Sequence, residues 1–310
     1  MTLPAIPIIT PAAWLGPEMR ERRDWIYRLC AEEADELKRA AKRLAEQQRP
    51  LDRIAAADQP LPLLAPRLKA WLAELEHGRG FVLVRGVPVE QMSEEEASIA
   101  YWLMGLHLGA PKPQNSKGEL LGHVRDLGDD PNTPGVRLYR THAKQDFHTD
   151  GADIIGLLCL KRSKSGGLSR IVSSISVFNE VARRRPDLAP LLFEDFHWDF
   201  EIDAAPGLPR TLAMPICRYD GERLRTFFIG WYIRNAQRFP DVPRLTPAQH
   251  ELLDLVEAVA NDPALYLDMD FEPGDVQFLY NASILHARTE YEDWDEPERK
   301  RHLLRLWLTV

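Results

Sequence analysis

Apolar positions along this chain recur with two periods, helical in the first part and strand-like in the second. From about Pro17 to Gln48, the residues Trp25, Ile26, Leu29, Leu37, Ala41 and Leu44 fall on one stripe at helical spacing, which predicts a single long amphipathic helix. Pro50 and the Asp58-Gln59-Pro60-Leu61-Pro62 stretch end it. A second helix is predicted over about Ala65 to His77, before a compact strand, Gly80-Phe81-Val82-Leu83-Val84-Arg85-Gly86, bounded by glycines. Ser93-Glu94-Glu95-Glu96 has the form of a capping box and opens a helix to about Leu108. From there to Arg140, Gly, Pro, Asn and Asp are dense enough to predict loop, and loops this long are more often functional than idle.

The second half reads differently. Ile154 to Leu160 is a continuous apolar run, followed by the turn Lys161-Arg162-Ser163-Lys164-Ser165-Gly166-Gly167 and a strand from Ser169 to Val177. Helices are predicted over Asn179 to Arg185 and Pro247 to Ala260. Glu272-Pro273-Gly274-Asp275 turns the chain into a strand at Val276 to Leu279, and Ile284 to Arg288 and Leu303 to Val310 are the last strands. The fold class is α+β: short strands with interspersed helices suggest a barrel or jelly roll, buttressed outside by the N-terminal helices. No repeat or low-complexity segment is present.

Composition narrows the partners. Apolar residues make up 45% and charged residues 28%, ordinary globular values, and 310 residues suffice for one large domain or two small ones. With 39 basic and 47 acidic residues the net charge is −8, which argues against nucleic acid or an anionic membrane as the main partner. No apolar stretch approaches the roughly 20 residues needed to span a bilayer, and Met1-Thr2-Leu3-Pro4 does not open a signal peptide. Cys30, Cys159 and Cys217 are scattered and odd in number, as expected of free thiols in the cytoplasm. The expected partner is a small-molecule substrate, and a homo-oligomer is compatible with this composition.

The candidate chemistry lies in residues far apart. His148-Thr149-Asp150 follows a short strand-like run, and His286 comes 138 positions later. Two imidazoles and a carboxylate are the ligand set that holds non-haem Fe(II) on one face and leaves the opposite positions open. Alternation along a strand would point His148 and Asp150 to the same side. Arg301 and Arg305 follow in Arg299-Lys300-Arg301-His302-Leu303-Leu304-Arg305, and a cation there is what a dianionic co-substrate would need. On a strand, Arg301, Leu303 and Arg305 share one face. A second His-x-Asp, His197-Trp198-Asp199, sits in a region that reads as helix end and loop and is taken as structural. Lys161, Arg162 and Lys164 read as a solvated turn, and Trp231, Tyr232, Trp294 and Trp307 as core or pocket wall.

The ordered series Phe147-His148-Thr149-Asp150, apolar strand, Ser-Gly-Gly, distal His286, then Arg301 fifteen residues on resembles the TauD/TfdA-like Fe(II)/2-oxoglutarate-dependent oxygenases. The resemblance covers roughly Gly80 to the C-terminus and is most specific from Asn281-Ala282-Ser283-Ile284-Leu285-His286-Ala287-Arg288 to Arg305. It implies a double-stranded β-helix, a distorted jelly roll of cupin-like form. Residues 79–310 would form that oxygenase domain, with substrate-loop inserts near 112–140 and 197–243 and an N-terminal helical segment, 1–78, packed on it. It also implies His148, Asp150 and His286 as iron ligands and Arg301 as the clamp on the distal carboxylate of 2-oxoglutarate. The family usually places a threonine after the Gly-Gly turn; here Ser169 takes that place and Leu168 replaces the usual acidic neighbour. Arg305 matches a position that meets an acidic group of substrate or co-substrate.

The implied cofactor is Fe(II), with 2-oxoglutarate and O2 as co-substrates. Three protein ligands leave three sites of an octahedron, two for the keto acid and one for O2. Decarboxylation to succinate would supply the oxidant that attacks an unactivated C–H bond. Because Asp150 fills the site a halide would need, hydroxylation is favoured over halogenation; desaturation or ring closure remains open. So do a non-catalytic metal-binding jelly-roll module and a Zn(II) hydrolase, although Arg301 has no role in the latter.

Overall fold

The computed structural model describes residues 4–115, 117–131, 133, 136–201 and 209–310. Residues 1–3, 116, 132, 134, 135 and 202–208 lie outside the described residues, so the start of the N-terminal segment and parts of both expected inserts are not covered. In chain order the helices are α1 (Gly16–Arg22), α2 (Ala31–Ala45), α3 (Ala65–His77), α4 (Glu94–Leu106), α5 (Ser174–Arg184), α6 (Gly230–Ala236) and α7 (Pro247–Ala260). The first strands are β1 (Ile26–Arg28), β2 (Phe81–Arg85), β3 (Ala110–Pro111), β4 (Leu121–Val124), β5 (Gln145–His148), β6 (Ile154–Lys161), β7 (Ser165–Gly166), β8 (Ser169–Ser173) and β9 (Asp195–Asp199). They are followed by β10 (Thr211–Pro215), β11 (Cys217–Tyr219), β12 (Leu224–Thr226), β13 (Leu267–Met269), β14 (Val276–Tyr280), β15 (Ile284–Arg288), β16 (Tyr291–Glu292) and β17 (His302–Thr309).

Two sheets dominate, and the site forms where they meet. The larger runs β1-β2-β14-β6-β17-β3, with β4 also on β17; the smaller runs β13-β8-β15-β5. One apolar core takes Phe81, Ile155, Leu279 and Leu303 from the first and Ile171, Met269 and Ile284 from the second, so the sheets bury these faces together. On the outside of the larger sheet, Leu37, Leu68, Trp71 and Tyr101 of the first helices pack against Val82, Leu158, Phe278 and Leu304. Val181 and Leu252 of α5 and α7 join Val172 and Leu285 of the smaller sheet in a further core. Among the described residues no helix is long and apolar enough to cross a membrane.

Several sequence expectations need correction. The predicted helix from Pro17 to Gln48 is three elements: α1 stops at Arg23, whose φ of 51° is left-handed, and Ile26 to Arg28 instead pairs with β2 in parallel. Helical and strand periods cannot be told apart over three residues, and sheet pairing overrides the stripe. A new helix then starts at Ala31, where the Glu33 carboxylate accepts the Cys30 backbone N–H. The strand expected from Ser169 to Val177 ends at Ser173, because the Ser173 hydroxyl accepts the Ser176 N–H and caps α5. The loop expected from 109 to 140 contains β4, paired along β17. His197 and Asp199 lie on β9 rather than on a helix end, paired with β10 across the 202–208 stretch.

Candidate active site

Strand register brings the distant histidines together. His286 of β15 stands directly opposite His148 of β5, and the imidazole centroids are 4.3 Å apart. Asp150 is not on the strand as alternation had suggested, since β5 ends at His148. Hydrogen bonds in the loop after β5 place it instead. Thr149 donates its N–H to Phe228 O at 2.8 Å, and Asp150 donates its own to Asn281 Oδ1 at 3.0 Å, while Asn281 Nδ2 returns a bond to Asp150 O at 2.5 Å. Asp150 Oδ1 then lies 3.9 Å from His148 Nε2 and Oδ2 lies 3.7 Å from His286 Nε2. All three donor atoms are within 4.8 Å of one another, close enough to share one ion at about 2 Å from each.

Neighbours prepare these groups as ligands. His148 Nδ1 sits 2.8 Å from Asp146 O and must carry its proton there, so Nε2 presents a lone pair, now met by the Gln145 amide at 3.0 Å. Burial, reinforced by His286, pushes His148 down to about 3 and keeps it neutral at working pH. For Asp150 burial acts the other way, but the Arg305 guanidinium and the two imidazoles outweigh it and hold the carboxyl far below its usual range. Trp307 Nε1 donates to Asp150 Oδ2 at 3.0 Å, and Arg305 Nη1 stands 3.5 Å from the same oxygen. Two imidazoles and one ionised carboxylate, with the His286 Nδ1 buried and unpartnered, fit a divalent metal ion.

The expected co-substrate residues face a small cavity adjoining this triad. Ser169, His286, Arg301, Leu303 and Arg305 all line it, which places Arg301, Leu303 and Arg305 on one face as the strand reading required. Arg301 lies just before β17, buried at 4% exposure, with Nη1 lacking any hydrogen-bond partner. Burial lowers its guanidinium below the ordinary value. The Gly-Gly turn fits closely here: Gly167 has a φ of 69°, and a Cβ on it would come within 3.1 Å of Arg301 Nε. The Ser169 hydroxyl donates to Gln277 Oε1 at 3.1 Å. Arg305 is held between Gln114, whose Oε1 accepts from Nε at 2.7 Å, and the ring of Tyr139 at 4.8 Å.

A larger cavity of about 500 Å³ also borders the triad, lined by His148 and Asp150. Phe200, Phe227, Trp231, Tyr232 and Trp307 wall it, and Lys112, Arg137 and Arg305 bring positive charge. Trp231, Tyr232 and Trp307 are thus pocket wall as expected, whereas Trp294 lies apart under Arg299. His197 is not part of the triad. Sequence reading missed Gln114, Gln145 and Arg288, because only their three-dimensional neighbours distinguish them from other polar residues. Asn281 and Trp307 were noticed without the role of placing Asp150.

The chain is similar to several known proteins. A family model described as "Taurine catabolism dioxygenase TauD, TfdA family" matches residues 47–307. FR-33289 synthase of Streptomyces rubellomurinus is 29% identical over 313 residues, covering 98% of this chain and 91% of that one. The taurine hydroxylase-like protein SAT17 of Stachybotrys chartarum is 31% identical over 309 residues, covering 95% and 77%. A solved structure of asparagine oxygenase, in complex with Fe(II), hydroxyasparagine and succinate, shares the fold with a TM-score of 0.72 at 18% identity, over 92% of this chain and 93% of that one. The chain belongs to the TauD/TfdA family of dioxygenases.

Proposed function

We propose that this Fe(II)/2-oxoglutarate-dependent dioxygenase hydroxylates a small anionic molecule, with His148, Asp150 and His286 as iron ligands and Arg301 and Ser169 at the keto acid. The observation that carries the reading is the convergence of the three donors, from β5, the loop after it and β15, beside a cavity lined by Arg301 and Ser169. Apolar residues shared between the two main sheets support a double-stranded β-helix as the scaffold.

Bound iron, with 2-oxoglutarate and O2, supplies the power to convert a substrate C–H to C–OH, with succinate and CO2 released. The protein's part is placement and charge. Asp146 fixes the His148 tautomer; Asn281 holds the Asp150 backbone, and Trp307 and Arg305 hold its carboxylate. Arg301 offers a planar fork that stays charged and suits a carboxylate. Aromatic walls limit water around the reacting bond. Among the described residues lining the larger cavity Asp150 is the only carboxylate, whereas Lys112 and Arg305 are cationic, which favours an anionic substrate.

The test is succinate formation by the iron-loaded protein under O2 with 2-oxoglutarate, across paired small acids and their neutral amides or esters. Acids should accelerate turnover and their neutral partners should not. Iron-replete protein that forms no succinate with any compound would overturn the reading, and faster turnover with the neutral partners would overturn the anionic substrate.

A further inference from the structure

The mechanism above uses Arg301 and leaves a second buried guanidinium unexplained. Arg288 lies two residues beyond His286 on β15, directly opposite Ser169 of β8. It is 6% exposed and lines the same small cavity as Ser169 and Arg301. Its Nη2 sits among the carbonyls of Leu138, Thr141 and Ala143, with the Thr141 contact at 2.9 Å. Its Nε and Nη1 are buried without any partner, as is Nη1 of Arg301. The Tyr291 ring lies beside both cations, 4.9 Å from the Arg288 guanidinium carbon and 5.0 Å from that of Arg301. Among the described residues, neither arginine forms an ion pair with a carboxylate.

Donors this deeply buried normally find acceptors, and buried charges normally find countercharges. Here three guanidinium nitrogens lack acceptors around one cavity, and two like charges share it. Burial and the neighbouring Arg301 push Arg288 down to about 10. An incoming anion resolves the deficit. Building on the iron and keto-acid reading above, we propose that Arg288 is a second cationic anchor for the co-substrate, sharing with Arg301 the distal carboxylate of 2-oxoglutarate. The carboxylate offers two oxygens with about four lone-pair sites, enough for both guanidinium groups and the Ser169 or Tyr291 hydroxyl.

A purely structural role, in which Arg288 only pins the 138–143 loop through its carbonyls, makes a different prediction. The experiment compares two keto acids on anaerobic, iron-loaded protein, following the charge-transfer absorption or its displacement. 2-Oxoglutarate carries the distal carboxylate and pyruvate lacks it. Arg288→Gln should weaken 2-oxoglutarate at least about ten-fold while moving pyruvate by less than about two-fold, and Arg288→Lys should recover part of the loss. Equal weakening of both acids would mean a loop pin, and unchanged 2-oxoglutarate affinity would mean no anchor; either overturns the proposal. If Arg288→Gln does not fold, Arg288→Lys is judged by the same ratio of the two acids. Wild-type protein that binds iron but neither keto acid would instead overturn the reading on which this one rests.

Discussion

Replacing Arg301 tests the co-substrate assignment most directly. The side chain is buried at 4% exposure, lacks a carboxylate partner among the described residues, and is set against the Gly166-Gly167 turn and the Tyr291 ring. Removing one member of a desolvated, charge-assisted pair costs about 2–5 kcal/mol, because the partner charge is left unpaired. With Arg288 still beside the cavity, the lower end applies, about 2 kcal/mol or roughly 30-fold in keto-acid affinity. Arg301→Lys keeps the charge without the fork and should recover part of this. Anaerobic titration of the Fe(II) protein with 2-oxoglutarate, followed by metal-to-ligand charge-transfer absorption, reads the affinity, and iron content should stay unchanged. A volume-conserving Arg301→Met should leave the ligand-free melting temperature unchanged or higher, since it deletes a buried cation that forms no ion pair with a carboxylate among the described residues. Unchanged 2-oxoglutarate affinity in Arg301→Ala would refute the reasoning.

Three further outcomes are expected. His148→Ala, Asp150→Ala and His286→Ala should each abolish iron-dependent succinate formation in folded protein, whereas His197→Ala on β9 should retain full iron content; metal analysis showing the reverse would mean that the wrong His-x-Asp was assigned. Asp275 is fully buried and bonded bidentately to Arg85 at 2.8 and 2.7 Å, so Asp275→Ala should cost about 3 kcal/mol in urea unfolding, and a loss under about 1 kcal/mol would contradict a paired buried charge. Burial lowers His302 from 6.5 to about 4, with Glu94 opposing and His123, Arg125 and Lys161 reinforcing the shift. Between these values the unfolded chain binds more protons, so stability should fall as pH drops from about 6.5 toward 4. His302→Gln should flatten that slope in denaturation curves, and identical slopes would remove His302 as its source.

Much of the scaffold was legible because its strands are buried on both faces. β6 and β17 send residues into both the helix-covered core and the inter-sheet core, so they read as nearly continuous apolar runs. Short elements were not legible. β1 has three residues and β4 four, too few for any period to show, and each exists because a neighbouring strand supplies its hydrogen bonds. β9 reads as polar and aromatic until its partner β10 is known.

The site divides along the same line. His148, Asp150, His286 and Arg301 stood out because their chemistry is distinctive and their order along the chain is meaningful. Yet strand alternation was the reason for joining His148 to Asp150, and the strand stops before Asp150. Asn281 holds the Asp150 backbone and Trp307 its carboxylate, and together they set the carboxylate where alternation was expected to put it. Arg288 shows the converse. In sequence it is one more arginine in a chain rich in paired ones, and most of the others have a carboxylate within reach. What marks it is a missing partner, and an unpaired charge can be recognised only when everything around it is in place. A search for the residues that hold an anionic co-substrate therefore begins best with buried cations that no ion pair neutralises, and here, among the described residues, that search sets Arg288 beside Arg301.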